Sequence, residues 1–296
     1  MNTENIQFGS NRVADIERLF HKELDAIYGA GETRMMVRML FEAWMGWPLA
    51  ELLMRREETI NQSDLLRFHW ALEDLKRGRP IQQIIGWTLF CGCRIEVDEN
   101  TLIPRPETEE IVERTIASYL ERPPRRVLDI CTGSGCIAIA LAKAWPETEV
   151  WAVDISSEAL AKARENAAGN GVEVAFIQAD ILKEGVTLPY PVDLIVSNPP
   201  YICERERKEM STNVLDYEPG LALFVPDTDP MLFYRRIAQQ CRRWIGERGR
   251  IVVEINEHYG KETLAEFEKE GAQGRVERDF WGKERMMIAE MDNKKR

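Results

Sequence analysis

The sequence lacks the features of a membrane protein, of an exported protein and of a protein that binds nucleic acid mainly by charge. No apolar run approaches the length of a transmembrane helix. The first eight residues, MNTENIQF, have neither the basic nor the apolar region of a signal peptide, so we expect a cytoplasmic protein. Basic residues are also in deficit, since the formal net charge is −11. An affinity that comes mainly from phosphate contacts is therefore disfavoured, although a local basic groove is not excluded.

A disulfide framework is absent as well. The six cysteines are scattered through 296 residues without regular spacing, and we expect them to be reduced thiols. Cys91-Gly92-Cys93 could suggest a metal site, but none of the three histidines lies close to it in sequence. We therefore predict no metal site. What the chain does have is a composition that is 44% hydrophobic, enough for a substantial core.

Residues 1–79 predict a small bundle of helices. Apolar residues recur at helical spacing in four segments. We place these segments at 13–27, at 35–44, from Pro48 onward, and from a cap at Ser63 to Gly78. No set of side chains in these helices suggests catalysis, so we expect the domain to serve in packing or docking.

Residues 80–105 predict a linker that contains a β-hairpin. Pro80 to Gly86 makes a break in the helical pattern. Two short extended pieces then run from Thr88 to Val97 and are hinged near Gly92. The third predicted domain comprises residues 106–296.

Arg105 lies between two prolines. Because it cannot be helical before Pro106, the sequence predicts an extended arm that presents its side chain. The same stretch also suits a helix start, because Pro106 and the acids at 107, 109 and 110 fit a first turn. Both interpretations can hold together.

From residue 106 onward, strand patterns alternate with helix patterns. A first helix is predicted from Pro106 to about Tyr119. Strands are then predicted at 126–131, 149–153, 172–177, 192–196 and 249–255, helices at 136–145, 158–168, 230–244 and 261–270, and a final strand pair at 275–280 and 285–290. This alternation predicts a mainly parallel, doubly wound α/β sheet, which binds ligands at the carboxyl ends of its strands. The last four residues, 293–296, are expected to form a solvated tail.

Three acidic residues and a glycine turn fall where such a sheet would bind a nucleoside. Gly133 and Gly135, after the first strand, allow the backbone to approach a ligand closely. Asp154 ends the second strand, where a carboxylate can accept both ribose hydroxyls, and Asp180 follows the third, where it can accept from the adenine amine. Asp129 precedes the turn and can hold the ligand's amino group or the loop. The turn is not a dinucleotide fingerprint and no Walker lysine follows it, so a single-nucleoside cofactor is favoured over NAD and ATP.

The fourth strand of this series delivers the stretch Ser197-Asn198-Pro199-Pro200-Tyr201. The two prolines fix φ at consecutive positions and remove two backbone donors, so that carbonyls face outward. The Asn198 side chain adds an acceptor beside them, and Tyr201 adds a flat aromatic face. The stretch therefore predicts either a receptor for a planar NH2 group or a proline turn that ends a strand.

Together these motifs resemble known enzymes. The stretch 129–135, DICTGSG, resembles the first motif of S-adenosylmethionine-dependent methyltransferases with a Rossmann-like sheet, and NPPY at 198–201 resembles the motif of those that methylate amide or exocyclic nitrogens. The helical N-terminal domain, PIQQIIG at 80–86, FCG at 90–92, IPRPETE at 103–109, and the pairs EP at 218–219 and AL at 222–223 are similar to the release factor glutamine methyltransferases, the PrmC/HemK family. The resemblance covers essentially the whole chain.

The resemblance implies a class I methyltransferase domain with a seven-stranded sheet, S-adenosyl-L-methionine as cofactor, and the glutamine in the Gly-Gly-Gln loop of class I peptide chain release factors as substrate. Residues 1–79 would then form the docking domain. Transferred residue by residue, the resemblance implies cofactor contacts at Cys131, Thr132, Gly133, Ser134, Gly135, Asp154, Asp180 and Ile181. We add Asp129 and Asn198 to this predicted cofactor site. It implies that Asn198 and Pro199 hold the substrate amide, with Pro200 and Tyr201 completing the motif. We predict catalytic roles for Asn198, Pro199 and Tyr201, and substrate contacts at these three residues, Pro200 and Arg105.

We hypothesise that the site promotes the reaction by orienting the substrate amide. Asn198 Oδ1 and the Pro199 carbonyl would accept the two hydrogens of the substrate amide and aim its nitrogen at the methyl group. Tyr201 would wall the pocket or would only pack beside it.

Two positions depart from the family pattern. Cys131 stands where many members have glycine, so its backbone must tolerate a Cβ atom. The stretch 224–230 carries prolines where many members have glycines, which leaves the conformation of that loop open. Neither departure removes a group that the proposed chemistry needs.

Two alternatives remain open. A nucleic-acid base methyltransferase could use the same NPPY site, but it would need a basic surface, and the sequence has no extended cluster of lysine or arginine. A scaffold that retains an inactive fold is disfavoured because the glycine turn, Asp154 and Asn198 are intact. We expect a monomer that binds release factors and neither nucleic acid nor a membrane.

Overall fold

The computed structural model describes residues 10–183 and 186–292, so the predicted tail at 293–296 and the first eight residues lie outside the described part. The chain divides into two compact units. One ends at Gly86 and also includes Thr212–Tyr217, and the other comprises Trp87–Ser211 and the chain from Glu218 onward. Contacts therefore group residues 80–86 with the helices and the hairpin with the sheet, whereas the sequence suggested one linker for both.

The first unit is helical, as predicted. Its helices are α1 (Val13–Tyr28), α2 (Ala30–Met45), α3 (Leu49–Met54), α4 (Gln62–Lys76), α5 (Ile81–Ile85) and, later in the chain, α9 (Thr212–Tyr217). Phe20, Phe41 and Phe68 are fully buried, and the rings of Phe41 and Phe68 lie 4.4 Å apart. An aromatic cluster of this kind supplies a core for a small bundle.

Two local predictions in this unit are wrong. Asn61 rather than Ser63 caps α4, because its Oδ1 accepts a hydrogen bond from Asp64 N at 2.9 Å. The predicted break at 80–86 instead contains α5, which begins after Pro80 and ends at Gly86, with φ of 86°. Gln83 in this short helix donates to the carbonyl of Tyr217 at 2.8 Å, which links α5 to α9.

The second unit begins with the predicted hairpin and the predicted helix. Strands β1 (Trp87–Phe90) and β2 (Cys93–Glu96) pair in antiparallel register around a turn. Helix α6 (Pro106–Ala117) starts at the proline that follows Arg105.

Seven strands then form one sheet. They are β3 (Arg126–Ile130), β4 (Glu149–Asp154), β5 (Ala175–Gln178), β6 (Val192–Ser197), β9 (Ile245–Glu254), β10 (Ala272–Arg278) and β11 (Glu284–Asp292). The intervening helices are α7 (Cys136–Ala144), α8 (Ser157–Asn170), α10 (Leu232–Trp244) and α11 (Gly260–Lys269). Two short strands, β7 (Ile202–Cys203) and β8 (Phe224–Val225), pair with each other outside this sheet. The proline-containing stretch 224–230, whose conformation the sequence left open, therefore begins with a two-residue strand.

The strand order is β10-β11-β9-β6-β3-β4-β5, and β11 runs antiparallel to both of its neighbours. Alternate residues of the central strands face opposite cores. Val196 and Val252 pack in the core that includes α6 and α7, whereas Ile195 and Val253 pack in the core that includes α10. The mainly parallel, doubly wound sheet with helices on both faces is thus confirmed.

No helix in the described part of the chain is both long and apolar enough to cross a membrane. All six cysteines are free thiols.

Candidate active site

Three loops leave neighbouring parallel strands at one edge of the sheet. Ile130 at the end of β3 lies opposite Ser197 at the end of β6 and opposite Val153 on β4. Ser197 Oγ also donates to the Ile130 carbonyl at 2.7 Å. The glycine turn after β3, Asp154 at the end of β4 and Asn198 after β6 are therefore neighbours because of strand register.

Asp154 holds the glycine turn. Its Oδ2 accepts from Gly133 N at 2.8 Å, and its Oδ1 accepts from Ser156 N at 3.0 Å. Burial raises the pKa of Asp154 above its ordinary value, and these backbone hydrogen bonds oppose that shift because they stabilise the carboxylate. Each carboxylate oxygen has a further lone pair, so Asp154 retains acceptor capacity for a ligand hydroxyl.

The two glycines of the turn differ in their surroundings. Gly133 has φ of 53°, and a Cβ atom added there would meet nothing within 4 Å. Gly135 has φ of 82°, and its Cβ would lie 3.0 Å from Ala163 Cβ and 3.2 Å from Ile139 Cδ1. Gly133 therefore borders open space where a ligand can approach, whereas Gly135 allows α8 to pack closely on the start of α7. Thr132 and Ser134, which alternate with them, are buried.

Cys131 adopts the left-handed conformation, with φ of 59°. This conformation costs a residue that carries a Cβ atom about 1–2 kcal/mol, so the backbone here tolerates Cys131 only at that cost. Burial and the nearby carboxylates, Asp154 foremost, raise the pKa of the thiol, so Cys131 is a neutral neighbour of the turn.

Asp129 is fully buried beneath the turn. Its Oδ2 accepts from Thr132 Oγ1 at 2.5 Å and from Ala138 N at 3.2 Å, so the carboxylate organises the loop. Burial raises the pKa of Asp129 to about 7. Its Oδ1 is buried and has no hydrogen-bond partner among the described residues.

The unpaired Oδ1 of Asp129 provides a test of whether the site fits the cofactor that the sequence resemblance implies. An acidic group in such surroundings is stabilised by a cation nearby. S-adenosyl-L-methionine carries an ammonium group, whose charge matches the incompletely satisfied Asp129, and a ribose, whose hydroxyls match Asp154 next to the open space at Gly133. The residues present therefore fit the cofactor.

Asp180 and Ile181 follow β5, next to Asp154 at the same edge. Ala179 N donates to the Asp154 carbonyl at 2.9 Å, which fixes this segment. Asp180 Oδ1 accepts from Leu182 N at 2.9 Å, and its Oδ2 lies 3.3 Å from Lys183 Nζ. Ile181 is buried.

The NPPY stretch presents a half-buried Asn198 and two buried prolines. Asn198 Nδ2 donates to Thr108 Oγ1 on α6 at 3.1 Å. Tyr201 packs against the core beside α10, and its hydroxyl donates to Glu254 Oε1 at 2.9 Å. Burial and the adjacent Glu254 raise the pKa of Tyr201 well above its ordinary value, so its hydroxyl remains a donor.

Two residues that the sequence interpretation missed join this site. Thr108 donates to Glu254 Oε2 at 2.6 Å, and both side chains are buried. Glu254 ends β9, and a carboxylate at the end of a predicted parallel strand is the signal that identified Asp154. The same rule applied to the strand predicted at 249–255 would have found it.

Arg105 is extended, with φ of −99° and ψ of 147°, and Pro106 begins α6, so both interpretations of this stretch hold. Arg105 Nη2 donates to the buried Glu218 Oε1 at 2.6 Å. The structure thus gives Arg105 an intramolecular partner, and its contact with substrate stays a prediction.

Comparisons with known proteins show which families and chains this sequence is similar to. A family model described as the methyltransferase small domain matches residues 112–216, and the PrmC N-terminal domain matches residues 20–86. A release factor glutamine methyltransferase of Flavobacterium psychrophilum is 42% identical over 90% of this chain and 95% of its own. Another with that name, from Bacteroides thetaiotaomicron, is 39% identical over 93% of this chain and 98% of its own. A methyltransferase structure from Pyrococcus furiosus covers 78% of this chain and 100% of its own, with a TM-score of 0.51; at 17% identity it shows the fold alone.

Proposed function

The chain belongs to the family of release factor glutamine methyltransferases, and from this premise we propose its complete reaction. It transfers a methyl group from S-adenosyl-L-methionine to the side-chain amide nitrogen of the glutamine in the Gly-Gly-Gln motif of class I peptide chain release factors. One observation carries the proposal: strand register brings the loop with Asn198 next to the glycine turn, where Gly133 borders open space and is held by Asp154.

The cofactor end of the site is formed by the turn and the acids around it. Asp154 keeps acceptor capacity for the ribose hydroxyls, and Asp129 supplies negative charge for the ammonium group. Asp180 and Ile181 are proposed to contact the adenine, because they follow β5 at the same edge of the sheet. When bound, S-adenosyl-L-methionine supplies a methyl group on a sulfonium, and the C–S bond electrons return to sulfur as the amide nitrogen forms the new C–N bond.

The substrate end has to orient a poor nucleophile. The lone pair of an amide nitrogen is delocalised into its carbonyl, so position and electrostatics must supply the rate enhancement. Asn198 Oδ1 and the Pro199 carbonyl accept the two amide hydrogens. Positive charge that develops on nitrogen strengthens both hydrogen bonds, so they favour the transition state over the ground state.

Proton removal requires no strong base. The amide proton becomes acidic once the nitrogen carries the methyl group, and water can then accept it. Glu254 is engaged by Thr108 and Tyr201, which agrees with a role other than base.

The helical unit is proposed to dock the release factor. Its helix α4 exposes Leu66 and Trp70, four residues apart, to 57% and 62%. Residues at this spacing lie on one face of a helix, and apolar side chains exposed together favour a protein contact. We further propose that the enzyme acts in the cytoplasm as a monomer without binding nucleic acid.

The decisive experiment incubates the protein with methyl-labelled cofactor and either a class I release factor or DNA. Label is expected on the glutamine of the Gly-Gly-Gln motif, located by mass spectrometry, and a release factor with Gln→Ala at that position is the matched control. Label on DNA would support the base methyltransferase instead, and label on neither would contradict both.

A further inference from the structure

Four side chains form one continuous hydrogen-bonded chain behind the substrate end of the site. Asn198 Nδ2 lies 3.1 Å from Thr108 Oγ1, which lies 2.6 Å from Glu254 Oε2. The other carboxylate oxygen of Glu254 accepts from Tyr201 at 2.9 Å. The chain spans α6, the end of β9 and the loop after β6, so three separate elements contribute to it.

The direction of every bond in this chain follows from Glu254. An ionised carboxylate can only accept hydrogen bonds. While Glu254 is ionised, Thr108 must therefore use its single hydroxyl hydrogen on Glu254, and its oxygen can only accept from Asn198. Asn198 in turn must present its NH2 group to Thr108, which leaves Oδ1 as the end directed away from Thr108.

We propose that Glu254 is a positioning residue that acts through Thr108 to fix which end of the Asn198 amide faces the substrate. The inference rests on the proposed function, because it explains how the site selects a substrate nitrogen that carries hydrogens. It goes beyond that function because it assigns roles to two residues that lie outside the NPPY stretch.

A hydrogen-bonding partner that fixes the orientation is needed because an asparagine amide is nearly symmetric in shape. Its oxygen and its NH2 group occupy similar volumes, so packing alone does not distinguish the two orientations. A reversed Asn198 would direct NH2 at the substrate NH2, and two donors facing each other cannot form a hydrogen bond. The orientation therefore decides whether Asn198 favours or opposes the transition state.

The groups around Glu254 determine its protonation state, and with it the pH range in which it can fix the orientation of Asn198. Tyr201 donates to the carboxylate, Arg285 on β11 attracts it, Glu107 on α6 repels it, and Tyr234 on α10 donates to its backbone carbonyl. Burial raises the pKa of Glu254, and the hydrogen bonds and Arg285 oppose the shift. As the pH falls through this raised pKa, the carboxyl group gains a hydrogen and becomes a donor, so the direction of the chain is no longer fixed. Turnover should therefore fall on the acidic side.

The test uses substitutions that change hydrogen-bond direction while keeping shape. Glu254→Gln introduces a donor at the carboxylate position. Thr108→Val removes the hydroxyl at constant size, and Thr108→Ser is its matched control because it keeps the hydroxyl. Each full-length variant is assayed for kcat with the release factor at saturating cofactor, for cofactor Kd and for thermal unfolding.

We expect Glu254→Gln and Thr108→Val to lower kcat by about 100-fold, as for removal of one oriented group in a polar site. Cofactor Kd should change little, and Thr108→Ser should recover most of the activity. The acidic decline in the wild-type pH profile should be absent from the residual activity of Glu254→Gln. Wild-type kcat in Glu254→Gln, or equal activities of the valine and serine variants, would overturn the inference.

A second measurement separates this inference from the proposed function. The side-chain NH2 signals of Asn198 can be identified in proton–nitrogen NMR spectra by their loss in Asn198→Ala. They should shift in Glu254→Gln and Thr108→Val but remain near the wild-type positions in Thr108→Ser. Unchanged signals in Glu254→Gln would refute the positioning role even if the wild-type enzyme methylates the release factor. Shifted signals would support it even if the substrate proves to be different.

Discussion

Arg105 and Glu218 form an ion pair, with Nη2 donating to Oε1 at 2.6 Å. The other oxygen of Glu218 accepts from the backbone N–H of Ile103 at 3.0 Å. Glu218 therefore fixes the extended segment that leads into α6. Since α6 carries Thr108, this anchor also helps to place the contact with Asn198.

Arg105→Ala should destabilise the protein by about 1–3 kcal/mol, because it removes a hydrogen bond between charged groups and leaves a buried carboxylate less satisfied. Urea unfolding of the full-length protein, followed by circular dichroism, measures this loss. Arg105→Lys is the matched control, since it keeps the charge. Unchanged stability together with a higher KM for the release factor would instead support the substrate contact predicted from sequence.

The glycine turn offers a matched pair of substitutions. Gly133→Ala and Gly135→Ala both place a Cβ at positive φ, which costs about 1–2 kcal/mol in each case. Gly135→Ala adds a close contact with α8, so it should be the more destabilising variant in urea unfolding. Gly133→Ala should chiefly weaken cofactor binding, because its Cβ projects into the open space beside Asp154. Equal losses of stability in the two variants would indicate that α8 shifts to accommodate the added Cβ atom without a further loss of free energy.

The fold could be predicted because its signals are local. Ser156 caps the helix after β4, where its Oγ accepts from Ala159 N at 3.1 Å, and serine is one of the residues preferred at this position. Strand limits were less accurate, because pairing depends on a partner elsewhere in the chain. The third strand was predicted from Val172, but its pairing with β4 begins at Ala175, opposite Trp151.

The site could be predicted only where single residues end strands. Asp154 and Asn198 follow apolar runs, and strand register brings their loops together. The bond between Thr108 and Glu254 joins residues 146 positions apart, on a helix and a strand whose relative placement no local pattern encodes. For Arg105 the sequence predicts the extended backbone but not the ion pair, because Glu218 lies 113 positions away in the chain.

Asn198→Ala should reduce turnover far more than cofactor affinity. Removing the amide deletes one of two acceptors that strengthen as charge develops, so a decrease in kcat of about 100-fold or more is expected. Steady-state kinetics with the release factor and calorimetric titration with the cofactor give the two quantities. If both decline by the same factor, Asn198 supports the cofactor site as a whole rather than the substrate amide.

Asp154→Ala should have the opposite profile. It removes acceptors for Gly133 N and Ser156 N as well as the proposed ribose contact, so cofactor Kd should rise by about 10- to 100-fold. The kcat at saturating cofactor should change much less. Asp154→Asn, which keeps one acceptor oxygen, should give an intermediate Kd. An unchanged Kd in Asp154→Ala would argue against the ribose role.

The affinity for the cofactor should depend on pH through Asp129. Burial raises the pKa of Asp129 from 3.8 to about 7, so the ligand-free protein holds a proton there that the unfolded chain releases at lower pH. The stability contributed by that proton is complete below the unfolded pKa and is lost as the pH rises through about 7. In the proposed site the ammonium group of the cofactor pairs with the ionised form of Asp129, so binding should weaken as the pH falls, by up to about tenfold per unit below that pKa. Calorimetry in buffers of different ionisation enthalpy, between about pH 6 and pH 8, should detect proton release on binding. Asp129→Asn should bind more weakly and lose this pH dependence, because its side chain cannot ionise. A wild-type Kd that is constant over this range would mean that the ammonium group is balanced by a carboxylate other than Asp129.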